Sequence, residues 1–495
     1  MKRISINPIT RLEGHGHIEI FLDEAGNVAN TYFQVPELRG FERFCVGRPA
    51  EDMPGITDRI CGVCPEAHHM AATKALDRLF DADPPSAAKK LRELLYMAFY
   101  VTDHTTHFYA LGGPDFIVGP DAPPAERNLL GVVRKVGLDT GKKVIDCRAR
   151  NFEVIRMLGG RSIHPTGGVP GGWSKPLSEE ERQRIEQIAR ENIEFSHFTL
   201  KAFDALVLGN EKFAKMISSK AYTHETYSLG TVDANNQANF YDGQLRIVAP
   251  DGEEFAKFPV ADYAQHIAER VEPWTYLKFP YLKKIGWRGF VDGPESGVYS
   301  ATPLARLNVS DGMATPQAQQ EYERFYKTFG KKRIGKRFAP VHHHLATHWA
   351  RLIEMLYASE HMLELATDAE ITATETRRIP THVAGVGIGS VEAPRGTLIH
   401  QYEADERGIL TAVNLIVGTT NNHAAISMSI KRAAESLIRA GKVVEEGLLN
   451  RIEMAFRLYD PCLSCATHSL PGTMPLEVNL RNSRGEVVHT IRREG

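Results

Sequence analysis

Two Cys-x-x-Cys pairs stand near opposite ends of this 495-residue chain. Cys61 and Cys64 lie in RICGVCPEAH, and Cys462 and Cys465 lie in DPCLSCATH. Such a turn holds two thiolates close enough to chelate one ion. Two turns together give four soft sulfur ligands, suited to zinc, iron–sulfur clusters or low-valent transition metals. For the pairs to act together, both ends of the chain must reach one core. Spacing alone leaves a structural zinc open, but three features count against it. The pairs are separated by almost the whole chain. A body of this size needs no metal staple. The flanks, Arg59 before one pair and Asp460-Pro461 before the other, are more specific than structural zinc requires. A thioredoxin-like disulfide lacks its βαβ surroundings.

The rest of the chain reads as soluble and globular, 42% hydrophobic and 24% charged, with a formal net charge of −2. That balance gives no electrostatic case for nucleic acid or an anionic membrane. No apolar run is long enough to span a bilayer, and the N-terminus carries no signal-like segment. Six cysteines in a chain of this length are no disulfide framework.

Residues 4–34 alternate apolar and polar around Gly26-Asn27 and predict a hairpin or small sheet. Residues 85–111 predict a long buried helix, and 177–208 an amphipathic one opening at Ser178. The Gly- and Pro-rich stretch 158–173 reads as loop. Residues 222–297 read as peripheral and β-rich, 321–329 and 342–366 as helical, 383–415 as short strands, and 422–459 as helical, leading into the second cysteine pair. The expected fold class is α+β: a large helical-bundle core with peripheral β-rich regions, the N- and C-terminal CxxC motifs meeting in the core. A single domain over 1–468 and an extension over 469–495 are expected.

RICGVCPEAH is similar to the hydrogenase large-subunit pattern RxCGxCxxxH, and DPCLSCATH to its partner DPCxxCxxH. NPITRLEGHGHIEI, ELRGFE, DHTTHFYAL, VEAPRGTLIH and VGTTNN follow in that family's order. The chain thus resembles the large, catalytic subunit of nickel–iron hydrogenases, over most of its length. The resemblance implies nickel held by Cys61, Cys64, Cys462 and Cys465. It also implies an iron bearing carbon monoxide and cyanide, bridged to nickel by Cys64 and Cys465.

Heterolysis of dihydrogen needs a base beside a metal, and the Cys462 thiolate can serve. Glu13 matches the family's proton-relay glutamate, although an exposed strand-end carboxylate is the plain reading. Glu42 and His468 match ligands of a magnesium-like ion, against an ion pair of Glu42 with Arg39 or Arg43. Arg395 resembles the arginine over the diatomic ligands, where a guanidinium offers fixed donors. Asp103 and Asp460 resemble the carboxylates around it, and Thr419 the hydroxyl donating to a cyanide. VGTTNN departs from the more frequent VPSTWN and leans toward cytoplasmic branches.

His342-His343-His344 cannot converge on one ion from a helix and read as a polar helix start. Cys45 and Cys147 read as buried thiols. Gly385-Val-Gly-Ile-Gly389 is not a dinucleotide fingerprint.

With no cysteines left for clusters, electrons must leave through an iron–sulfur small subunit. Diaphorase-type or other electron-transfer subunits would follow, to a soluble acceptor such as NAD. A maturation protease is implied for the segment after His468, and a cytoplasmic location is expected. A non-catalytic homologue and a structural zinc protein are the alternatives.

Overall fold

The computed structural model describes residues 2–441, 443–467, 476–482 and 486–493. The chain opens with an antiparallel sheet of β1 (Lys2–Ile6), β2 (His17–Leu22) and β3 (Val28–Gln34), in that order. The alternation seen in the sequence is the burial pattern of β2, whose Ile18, Ile20 and Leu22 point into the core.

The core is a bundle of long helices. These are α1 (Pro65–Leu79), α2 (Ser86–Thr106), α3 (Leu138–Gly159), α4 (Glu179–Phe203) and α5 (Thr347–Thr367). α5 packs along α4 and α2, and α2 along α3. α2 is apolar on nearly every face, as a central helix must be, and buries Leu91, Leu94, Leu95, Phe99 and Val101. It continues into a widened π-helical turn, His107–Gly112. α4 begins where the sequence says it should. Ser178 Oγ accepts from Glu181 N, and the Glu181 carboxylate accepts from Ser178 N.

A six-stranded sheet built between Tyr227 and Met313 has Tyr227–Val232 at its centre. A second, three-stranded sheet of β4 (Val386–Ala393), β5 (Gly396–Ala404) and β6 (Leu410–Ile416) lies on α1. The glycine string explains that contact. A Cβ on Gly387 would lie 2.2 Å from Ala75 O, and one on Gly389 2.3 Å from Ala75 N. Strand backbone and helix backbone therefore touch directly.

Helices α6 (His423–Leu437) and α7 (Glu446–Arg457) lead to the second cysteine pair. Near the end of the chain, Leu476–Arg481 pairs antiparallel with Val487–Arg493.

The expected architecture is thus found, with three local differences, the first being that Gly168–Val169 pairs with Gly172–Trp173 within the expected loop 158–173. The three histidines precede α5 rather than opening it, because each is drawn to a different backbone or hydroxyl partner. His342 lies 2.9 Å from Pro250 O, His343 2.9 Å from Thr223 Oγ1, and His344 2.9 Å from His224 O. Residues 422–459 form two helices rather than one, since Ile438 turns to an extended conformation after α6.

Candidate active site

The two cysteine motifs meet. Cys61 lies in an extended residue, Cys64 caps α1, and Pro65 takes the first helical position, where no backbone N–H is needed. Val63 N and Cys64 N donate to Cys61 Sγ at 3.1 and 3.4 Å. On the other side Asp460 adopts a left-handed φ of 52°, which turns the chain after α7 and aims Cys462 inward. Each motif then interleaves with the other. Cys61 Sγ lies 3.3 Å from Cys462 Sγ, and Cys64 Sγ 3.4 Å from Cys465 Sγ. All four sulfur atoms lie within 4.8 Å of one another and are buried.

Four thiols packed so closely cannot all ionise without a cation. Burial pushes the Cys462 and Cys465 thiols well above their ordinary range, while donors from Cys462 and Cys465 hold Cys61 well below it. A thiophilic metal would displace those protons.

The N-terminal loop carries Glu13 to this cluster. Glu13 pairs with Cys462 in a parallel bridge, and Leu463 N donates to Glu13 O at 3.0 Å. The loop is clamped from below, where Arg11 donates to Leu111 O at 2.9 Å and Arg457 to Thr10 O at 3.1 Å. Gly14, at φ 84°, passes so near that a Cβ would lie 2.8 Å from Ser464 N. As a result Cys462 Sγ is 3.0 Å from Glu13 Oε2, which also accepts from Ser464 N at 3.1 Å.

Sequence reasoning missed the residues beyond Glu13. Ser464 Oγ donates to Glu37 Oε2 at 3.3 Å, and the other Glu37 oxygen touches His15, whose side chain is 75% exposed. Glu13 meets Ser464 through the backbone N–H, and Ser464 Oγ, Glu37 and His15 extend from there to the surface. Only the crowding of polar residues in both motifs could have hinted at it. Glu66 was also missed. It is buried in the first turn of α1, and burial, with Asp103, Cys61 and Asp58 adding, pushes its carboxyl up to about 8.

Arg395 sits in the β4–β5 turn, fixed by Asn422 donating to its carbonyl at 2.7 Å. Its Nη1 donates to Asp103 Oδ1 at 3.0 Å, and its Nη2 lies 2.9 Å from Asp460 Oδ2. Burial opposes its charge, but Asp103 and Asp460 outweigh burial and hold the guanidinium well above its ordinary range. Arg395, Thr419, Leu398 and Val417 line a small enclosed cavity with Cys64, Cys462 and Cys465. The Thr419 hydroxyl accepts from Cys462 N at 3.1 Å, leaving its hydrogen free to point into that space.

Glu42 pairs with neither Arg39 nor Arg43. Its Oε1 accepts from Lys278 Nζ at 3.1 Å and from Leu415 N at 2.9 Å, and Lys278, fully buried, also pairs with Glu269 at 2.9 Å. As arranged, Glu42 is matched by the Lys278 ammonium. His468, the other expected ligand, lies outside the described residues. Cys45 and Cys147 are buried thiols, as expected.

The pattern of the nickel-dependent hydrogenase family matches residues 39–130 and 294–468, and a HoxL-like pattern matches residues 3–38. The chain is 48% identical to an F420-non-reducing hydrogenase iron-sulfur subunit of Archaeoglobus profundus, over 99% of this chain and 100% of that protein. The chain belongs to the nickel-dependent hydrogenase family. It is also 37% identical to the NAD-reducing hydrogenase HoxS subunit beta of Cupriavidus necator, over 98% of this chain and 99% of that one. The crystal structure of an NAD+-reducing NiFe-hydrogenase in its H2-reduced state superposes with a TM-score of 0.83 at 37% identity, covering 94% of this chain and 100% of that chain. The four-sulfur donor set fits the metals of that family: soft ligands, buried, with fixed cationic donors beside them. No helix among the described residues is long and apolar enough to cross a membrane.

Proposed function

We propose that this hydrogenase subunit carries out reversible heterolytic cleavage of dihydrogen at a nickel–iron centre on Cys61, Cys64, Cys462 and Cys465. The observation that carries this reading is the four-sulfur cluster with a carboxylate oxygen 3.0 Å from one sulfur. A metal ligand and a proton acceptor stand together there, as heterolysis requires.

The bound metals would supply the Lewis acidity that polarises dihydrogen. Cys61, Cys64, Cys462 and Cys465 would hold the two metals beside the cavity under Arg395. Cys462 Sγ accepts the proton and Glu13 Oε2 takes it up. The Ser464 N–H steadies the Glu13 carboxylate, and Glu37 and the exposed His15 lie between it and solvent. Arg395 and Thr419 offer hydrogen-bond donors to cyanide and carbon monoxide on the iron, and Asp103 and Asp460 hold Arg395 in place.

Electrons leave to an iron–sulfur small subunit, since this chain keeps no cysteines for clusters. They pass on to a soluble acceptor. NAD is supported by the HoxS relative at 37% identity, while the relative at 48% is named only as not reducing F420. Residues 469–495 act as a tail removed by a maturation protease once the site is built, and the complex works in the cytoplasm.

Metal analysis and infrared spectra of the complex from its native host test the reading. Nickel, with iron in excess of it because the small subunit's clusters add iron, and carbon monoxide and cyanide bands are expected, whereas zinc alone would overturn it. NAD reduction by H2 tests the acceptor, and an intact mass ending at His468 tests the tail.

A further inference from the structure

Arg351, on α5, is fully buried, and neither Nε, Nη1 nor Nη2 has a hydrogen-bond partner among the described residues. Five N–H donors cannot be left dry in a protein interior. The guanidinium does have electrostatic neighbours. Asp460 is the strongest, followed by Glu354, Arg395 and Asp103.

The same region gathers further buried polar atoms without partners among the described residues: Asp103 Oδ2, Arg395 Nε, His107 Nδ1 and Thr347 Oγ1. Asp460 Oδ2 has Arg395 at ion-pair distance, but from a direction that makes no hydrogen bond. The π-helical turn at His107–Gly112 widens the helix here, and the His107 ring stacks on His348 at 5.4 Å, one turn before Arg351. Widened turns of this kind recur at functional sites.

The chemistry of these atoms selects what fills the space. Arg351 offers only donors, and Asp103 and Asp460 only acceptors. An anion would meet two carboxylates, and a cation would meet two guanidinium groups. A water molecule accepts from the one and donates to the other, and it needs two to four such partners.

We propose that Arg351 is a positioning residue of the active site. Through enclosed water molecules its guanidinium holds Asp460 and Asp103, and these fix Arg395 over the metal cavity. Arg395 alone faces two carboxylates, and Arg351 is the second cation behind them. The proposal rests on the hydrogenase reading for its consequence, but its first test does not.

That first test is a crystal structure of the unmodified complex at a resolution that shows ordered water, about 1.5 Å. Density peaks about 2.7–3.2 Å from the Arg351 Nη atoms and within reach of Asp103 Oδ2 or Asp460 Oδ2 are expected. A dry site, or Arg351 bonded directly to either carboxylate, overturns the proposal.

The second test compares Arg351→Lys and Arg351→Met in the whole complex by nickel content, infrared bands of the iron's diatomic ligands and kinetics. The methionine variant is expected to shift those bands and to lower kcat about tenfold with KM for H2 unchanged. The lysine variant, which keeps the cation and its water contacts, should restore the bands and stay within about threefold of the parent. Unshifted bands in the methionine variant, or equal loss in both, overturn the proposal. If methionine prevents nickel loading, a normal lysine variant supports the proposal and a lysine variant without nickel overturns it. A parent complex without diatomic bands would refute the metal reading, and the crystallographic water test would still decide the role of Arg351.

Discussion

Replacing Lys278 by methionine removes a fully buried ammonium that lies 3.1 Å from Glu42 and 2.9 Å from Glu269. Burial lowers the lysine's pKa, but the two glutamates more than offset this and raise it, so the ammonium is fully charged at neutral pH. Methionine has nearly the same length, so packing changes little and the electrostatic loss dominates. Breaking a buried ion pair by removing one partner costs about 3–5 kcal/mol.

Protonation of one glutamate sets a ceiling on the loss. Neutralising a carboxyl of ordinary pKa about 4.3 at pH 7 costs roughly 2.7 × 1.36, or about 3.7 kcal/mol. At pH 5.5 the same step costs about 1.6 kcal/mol. The variant should therefore lose about 4 kcal/mol at pH 7 and about half that at pH 5.5. The sign follows from linkage: a carboxyl whose folded pKa is raised loses stability as pH climbs above its unfolded value. Urea denaturation at both pH values measures this. A loss under about 1 kcal/mol at pH 7, or one independent of pH, would refute the reasoning. Magnesium should rescue the variant, because an empty niche of hard oxygens accepts a divalent ion. A chelator should leave the parent protein unchanged.

Glu13→Gln keeps the shape of the relay but cannot pass a proton on, so H2-dependent turnover should fall about 100-fold or more while nickel content stays normal; H/D exchange and metal analysis check both. His361 lies between Glu93 and Glu364, and although burial opposes it, those partners raise its pKa to about 9. Its stabilisation is therefore fully present below about pH 6.5 and lost as pH rises through 9, with an upper bound of about 3 kcal/mol. His361→Gln should flatten that part of the stability profile. Gly389→Val drives a side chain into the backbone of α1, at about 3 kcal/mol or more. It should also shift Cys64 at the head of α1, read as reduced nickel loading beside a lower Tm.

The sequence made some features legible because their causes are local. The capping box at Ser178, the period-two burial of β2 and the continuous apolar run of α2 each follow from a few neighbouring residues. The cysteine pairs were legible as ligands because soft thiolates at that spacing have few other uses. Glu13, Arg395, Asp103 and Asp460 were reached through resemblance alone, since each could be an ordinary surface charge. The structure brings Glu13 to Cys462, and Asp103 and Asp460 to Arg395.

Other features depend on residues far apart in the chain, and no local pattern announces them. Glu42 is matched by Lys278, 236 positions away. Ser464 donates its backbone N–H to Glu13 and its hydroxyl to Glu37, so the contacts cross between the two ends of the chain. Arg351 reads as one charge on a helix and becomes a buried cation with no hydrogen-bond partner among the described residues only when α2, α5 and the turn at Asp460 close around it. By itself the sequence determined the two cysteine pairs and the helical periodicities, because thiolate chemistry and backbone geometry act over a few residues. Tertiary structure alone decided which charges face one another in the interior. There the low dielectric makes every pairing strong and every unpaired group costly.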